Sequence, residues 1–102
     1  MSVYMIFVQD SVTDRDGLNA YSAKAGPTLA PHQPIPRAVS ENVEHIEGDW
    51  KPGRLVMLEF ESRERALAWY NGPEYSAVKG LRLAATSGGG GIMVEALKLP
   101  GQ

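Results

Sequence analysis

Two short segments of this chain are apolar on both of the faces a β-strand would present, and that property limits what the chain can fold into. Residues 3 to 8 read VYMIFV, bounded by Gln9-Asp10-Ser11, and residues 55 to 60 read LVMLEF. Each run is too short for a buried helix and rich in strand-forming residues, so each is predicted to be a strand. Alternation places Val3, Met5 and Phe7 on one face of the first and Tyr4, Ile6 and Val8 on the other. In the later run Val56, Leu58 and Phe60 share one side, and Leu55 and Met57 the other. Both faces therefore need cover.

The segments between supply helices for one face only. Thr13 followed three residues later by Asp16 suggests a capping box, and Leu18, Tyr21, Ala25 and Leu29 recur at helical spacing, which predicts a helix from about 14 to 25. Gly26-Pro27 should weaken or kink it, and Pro31, Pro34 and Pro36 leave 31 to 36 extended at best. A ragged strand is expected over 37 to 46. EGDWKPGR, residues 47 to 54, should then reverse the chain as a hairpin, with Trp50 packed on its own chain or across an assembly. Ser62 is placed to cap a helix over 63 to 71 that Gly72-Pro73 stops, and 75 to 85 suits another short helical piece. SGGGG at 87 to 91 reads as a flexible joint before a last strand at 92 to 99.

This order predicts an α+β fold of the ferredoxin-like βαββαβ type with an antiparallel four-stranded sheet, as one domain over 1–99 with a tail at 100–102. Helices on one face leave the other sheet face bare, and monomers rarely expose so large an apolar patch. A homodimer through that sheet face is expected.

Composition narrows the function. The 102 residues are enough for one modest core, and a 43% hydrophobic and 22% charged content is that of a globular protein. No apolar run approaches the ~20 residues that span a bilayer, so no membrane partner is expected. The first residues lack a basic leader, which points to the cytoplasm. There is no cysteine, the two histidines show no metal-site spacing, and no metal or cofactor is expected. A net charge of -2 with scattered Lys and Arg argues against nucleic acid. SGGGG precedes a strand rather than a helix and is followed by no Lys-Ser or Lys-Thr pair, so it does not read as a phosphate loop.

EGDW before a strand, LEF within it, AWYNGPEY in the next helix, and Arg82 seven residues after Tyr75 together resemble domain-of-unknown-function family 1330. The resemblance runs from Tyr4 to Glu95. It implies membership of the dimeric α/β-barrel superfamily, in which two ferredoxin-like sheets pair into a barrel. That superfamily includes cofactor-independent monooxygenases, lactone isomerases and haem-dependent enzymes, so the fold alone names no reaction. The chain departs from the family's pattern after His32, where Gln33-Pro34 stands in place of two glycines.

Candidate catalytic residues are His32 and Glu59. The resemblance and the flanking prolines make His32 a candidate acid or base, with a plain surface-loop histidine as an equal alternative. Glu59 shares a strand face with Leu55 and Met57, where a carboxylate would have its pKa raised or would need a cationic partner, Arg82 or Arg54; it reads either as a half-solvated strand end or structural ion pair, or as a general base facing a pocket. Trp69 reads as core. Tyr70, Tyr75, Arg82 and Arg54 are candidate substrate-binding residues, with Arg82 an anchor for an anionic group. The expected function is that of a dimeric α/β-barrel protein with a small-molecule ligand, acting as a cofactor-independent monooxygenase- or isomerase-like enzyme, with a non-catalytic ligand-binding or interaction module as the alternative.

Overall fold

β1 (Val3–Gln9) runs through the centre of the sheet, between β4 (Arg54–Phe60) and β6 (Gly90–Glu95), and β3 (Ile35–Ser40) lies outside β4. All pairings are antiparallel. The computed structural model describes residues 1–98, and the expected tail at 100–102 and the end of the last strand at 99 lie outside them. The remaining elements are β2 (Ser11–Val12), α1 (Arg15–Leu29), α2 (Arg63–Tyr70), α3 (Pro73–Ala85) and β5 (Thr86–Ser87). The order β3-β4-β1-β6 is that of the ferredoxin-like α+β fold.

The register realises the alternation read from the sequence. Met5 faces Leu58 and Met93, and Phe7 faces Val56 and Gly91, on the side that the helices cover. Tyr4 faces Glu59 and Val94, and Ile6 faces Met57 and Ile92, on the side that no helix covers among the described residues. On that open face Ile92 is 63% and Val94 48% exposed, whereas Met5, Leu58 and Phe60 beneath the helices are nearly sealed. The molecule is correspondingly flat, 16 Å along its shortest axis, and its radius of gyration of 14.2 Å exceeds the ~13 Å of a compact domain of this length.

Local chemistry sets the helix ends. Asp14, rather than Thr13, caps α1, its carboxylate accepting from the Gly17 N–H at 3.0 Å. The helix continues through Gly26-Pro27 to Leu29 because glycine carries no Cβ to clash with the proline ring and because tertiary contacts hold the final turn. Trp69 Nε1–H donates to Thr28 Oγ1 at 2.9 Å, and Leu29 packs on the core. Ser62 caps α2 as expected, and Pro73 opens α3, two residues earlier than the sequence pattern places it, where its missing N–H costs nothing.

Three expectations need correction. The second strand is β3 at Ile35–Ser40, not 37 to 46; as an edge strand it tolerates Pro36, with a register shift between Pro36 and Ala38. EGDWKPGR is therefore no tight hairpin but the end of an irregular connection from Glu41 to Gly53, and Trp50 is 60% exposed, held by its indole N–H donating to Asp10 Oδ1 at 3.0 Å. SGGGG is no free joint. Ser87 pairs with Ser11, the Asp10 N–H donates to Ser87 O, and Gly90 and Gly91 belong to β6.

Between them Gly88 and Gly89 adopt left-handed φ of 70° and 82°, and a Cβ on Gly89 would stand 1.9 Å from Val8 O. Gly89→Ala should cost roughly 2 kcal/mol or more of unfolding free energy in urea titration, through both strain and backbone collision. Gly80→Ala, on an exposed turn of α3 with open space at its Cβ, should instead add about 0.5–1 kcal/mol.

Candidate functional site

The helix-facing row of the two central strands ends in polar residues. Along β1 it runs Val3, Met5, Phe7, Gln9, and along β4 Phe60, Leu58, Val56, Arg54, so Gln9 and Arg54 meet directly in the register. Gln9 is 1% and Arg54 6% exposed, and Arg54 Nη1–H donates to Gln9 Oε1 at 2.9 Å. Among the described residues, Gln9 Nε2 is the one fully buried side-chain nitrogen or oxygen with no hydrogen-bond partner.

Above this end lie α1 and α3. Tyr75 and Arg82 are seven residues apart, two helical turns, and so share the face of α3 that looks inward. Tyr75 is 1% and Arg82 7% exposed, and Arg82 Nε–H donates to the Tyr75 hydroxyl oxygen at 3.3 Å while its guanidinium lies 5.1 Å from the centre of the Phe7 ring. The Tyr75 hydroxyl is 2.8 Å from that of Tyr21 on α1. Burial, with the Tyr75 hydrogen bond second, holds the Tyr21 phenol well above its ordinary value, so it stays protonated. Burial lowers Arg54 from the usual guanidinium value, but a guanidinium remains a cation at neutral pH.

Of these groups Tyr21, Arg54 and Arg82 border a cavity of about 150 Å³ between α1 and the sheet. Its wall is apolar where Phe7, Ala25, Leu58 and Trp69 meet it, and its charged lining is Arg54 and Arg82, with Tyr21 beside them. It presents no carboxylate and no imidazole. A neighbouring hollow of about 340 Å³ shares Phe7 and Arg82 and is bordered by Tyr70, which stacks on Phe7 at 5.9 Å and carries Lys79 4.8 Å above its ring.

The residues read from the sequence as a site thus divide. Arg54, Arg82 and Tyr75 come together, and Tyr70 lies next to them. His32 ends the 3₁₀ turn Ala30–His32, is half-buried, and does not border the cavity. Glu59 lies on the open sheet face, where its carboxylate accepts from Arg37 Nε–H at 2.9 Å and Nη2–H at 2.8 Å. Its cationic partner is therefore Arg37, not Arg54 or Arg82: positions 54 and 59 differ by an odd number and fall on opposite strand faces. Glu59 and Arg37 border a groove of about 680 Å³ on that face.

Gln9 and Tyr21 are functional candidates that sequence reasoning passed over. Gln9 continues the parity of Phe7, and Tyr21 sits between Leu18 and Ala25 on the inward stripe of α1, so both positions were available to the same periodicity. Among the described residues no cluster of three or more His, Cys, Asp or Glu side chains could hold a metal ion, and no helix is long and apolar enough to cross a membrane.

Fold and cavity together define a ferredoxin-like α+β protein with a small pocket between its helices and sheet. The chain belongs to the family described as a domain of unknown function, DUF1330, whose model matches residues 2–97. Among solved structures it is similar to a Rhodopseudomonas palustris protein of unknown function, with a TM-score of 0.75 and 16% identity over 96% of this chain and 84% of that one. It is also similar to a dimeric ferredoxin-like protein of unknown function from Bacteroides fragilis, with a TM-score of 0.59 and 13% identity over 93% and 95% of the two chains. A dimeric ferredoxin-like protein of unknown function from Thermobifida fusca matches with a TM-score of 0.63 and 12% identity over 94% and 92%. No curated protein matches the chain.

Because the fold holds Tyr21 protonated, the unfolded chain releases that proton first as pH rises. Stability from this source is complete below the ordinary tyrosine value of about 10 and declines above it as the unfolded state ionises. Urea unfolding between pH 9 and 11 should show a steeper loss for the native chain than for Tyr21→Phe; identical slopes would contradict the assignment.

Proposed function

We propose that the protein is a cytoplasmic homodimer whose two sheets meet across their open faces as an α/β barrel, each protomer holding a small organic molecule between α1 and the sheet. The observation that carries the ligand reading is the 150 Å³ apolar cavity onto which Arg54, Arg82 and Tyr21 converge, an arrangement typical of small-molecule sites. A volume near 150 Å³ accepts a molecule about the size of benzene. The dimer is supported by the uncovered apolar residues Ile6, Met57, Ile92 and Val94 and by the dimeric state of the Bacteroides fragilis and Thermobifida fusca proteins.

Binding is favoured over proton transfer by the protein, because the cavity lining contains no carboxylate or imidazole and both His32 and Glu59 stand outside it. A catalytic use of the same site, cofactor-independent and monooxygenase- or isomerase-like, would draw on the two guanidinium groups and the protonated Tyr21 hydroxyl to stabilise negative charge forming on the bound molecule. In the dimer, the Glu59–Arg37 pair would belong to the interface.

Sedimentation at micromolar concentration should give twice the 11.1 kDa chain mass, and Met57→Lys should reduce it to one. A native monomer would contradict the assembly. In a thermal-shift screen of small acids, lactones and quinones, a binder at a hundred times its Kd adds ~2.7 kcal/mol, roughly 10 °C for a domain of this size. Ala25→Leu, which fills the cavity, should remove the shift; a shift of equal size in that variant would place the ligand elsewhere.

A further inference from the structure

The polar end of the cavity has an excess of donors and no acceptor charge. Arg54 and Arg82 are each more than nine-tenths buried, yet among the described residues neither forms an ion pair with a carboxylate. The acid whose charge reaches Arg54 is Glu41, and it is engaged with Arg15 at the surface. Each guanidinium carries five N–H donors, and one side-chain hydrogen bond is made by each, to Gln9 and to Tyr75. The two cations also sense one another's charge.

The hydroxyl pair stands beside them. Arg82 Nε–H donates to the Tyr75 oxygen, Tyr75 and Tyr21 share a hydrogen bond in which either hydroxyl can be the donor, and Tyr21 borders the cavity. Gln9 Nε2, on the same carboxamide that holds Arg54, is unpartnered. Buried cations without a counter-charge are costly, and an anion bound between Arg54 and Arg82 relieves that cost.

We propose that this end of the cavity is a carboxylate site, in which Arg54 and Arg82 bind the anionic head of a small organic acid while the apolar wall of Phe7, Ala25, Leu58 and Trp69 receives a compact ring or branched chain. The inference rests on the cavity being the ligand site, as proposed above, and adds the chemical class of the ligand. The guanidinium fork matches a planar carboxylate, and the 150 Å³ volume limits the body to about one six-membered ring.

The test titrates the full-length protein with sodium benzoate and, separately, with the neutral isostere benzamide at constant ionic strength, following the Trp69 indole and arginine Nε–H resonances by NMR. Both probes should shift the Trp69 signal, with benzoate binding about tenfold tighter or more, since hydrogen bonds to a charged group are the stronger ones. Arg54→Gln and Arg82→Gln should each bring benzoate down to about the affinity of benzamide. Where such a variant fails to fold, the benzoate-to-benzamide ratio of the native chain decides alone. Equal affinities overturn the carboxylate site and leave the pocket standing; no Trp69 shift with either probe overturns both.

Discussion

One mismatch governs the architecture: central strands that are apolar on two faces and a single layer of helices to cover them. Burying apolar surface stabilises a fold by roughly 25 cal/mol per Å², so the side carrying Met5, Phe7, Leu58 and Phe60 draws α1, α2 and α3 onto itself. Among the described residues no helix remains for Ile6, Met57 and Ile92. The flat 16 Å profile is the visible result, and pairing with a second copy is the physical response available to it.

Against that apolar ground, the polar end of the helix-facing row has a different meaning from a surface polar patch. Gln9 and Arg54 occupy inward positions that alternation would otherwise fill with aliphatic residues, and Arg82 occupies the matching place on α3. Burying such groups weakens a small domain. Departures from the otherwise consistent pattern of a fold concentrate where the molecule works. Aromatic packing compensates locally: Trp69 lies 4.2 Å from Tyr75 and 5.6 Å from Phe60, centre to centre, and fixes the floor on which Arg82 and Tyr75 stand.

Much of this was legible beforehand. Strand periodicity alone separated the two sheet faces, and the seven-residue step from Tyr75 to Arg82, legible in the sequence as a family motif, corresponds to two turns along one side of α3. The same parity, applied to positions 54 and 59, puts Arg54 with the core and Glu59 with the open face. It also puts Gln9 beside Phe7. What periodicity could not supply was anything set by contacts distant in sequence. α1 survives Gly26-Pro27 because Trp69 reaches Thr28, and β3 is displaced toward the prolines because an edge strand tolerates them. SGGGG looked like slack chain because its constraint is the backbone of β1, against which no side chain fits. His32 owed its candidacy to family pattern rather than to spacing, and it stands apart from the cavity.

Cover of the open sheet face by a second copy can be read from peroxide oxidation of methionine, mapped by mass spectrometry across a dilution series. Met57 is only partly buried within one protomer and lies on the open sheet face opposite Ile6. If a second copy covers that face, Met57 should oxidise well below the rate of free methionine at high protein concentration and faster on dilution. A Met57 rate that does not change with protein concentration, and matches what one protomer's partial burial alone allows, would contradict it.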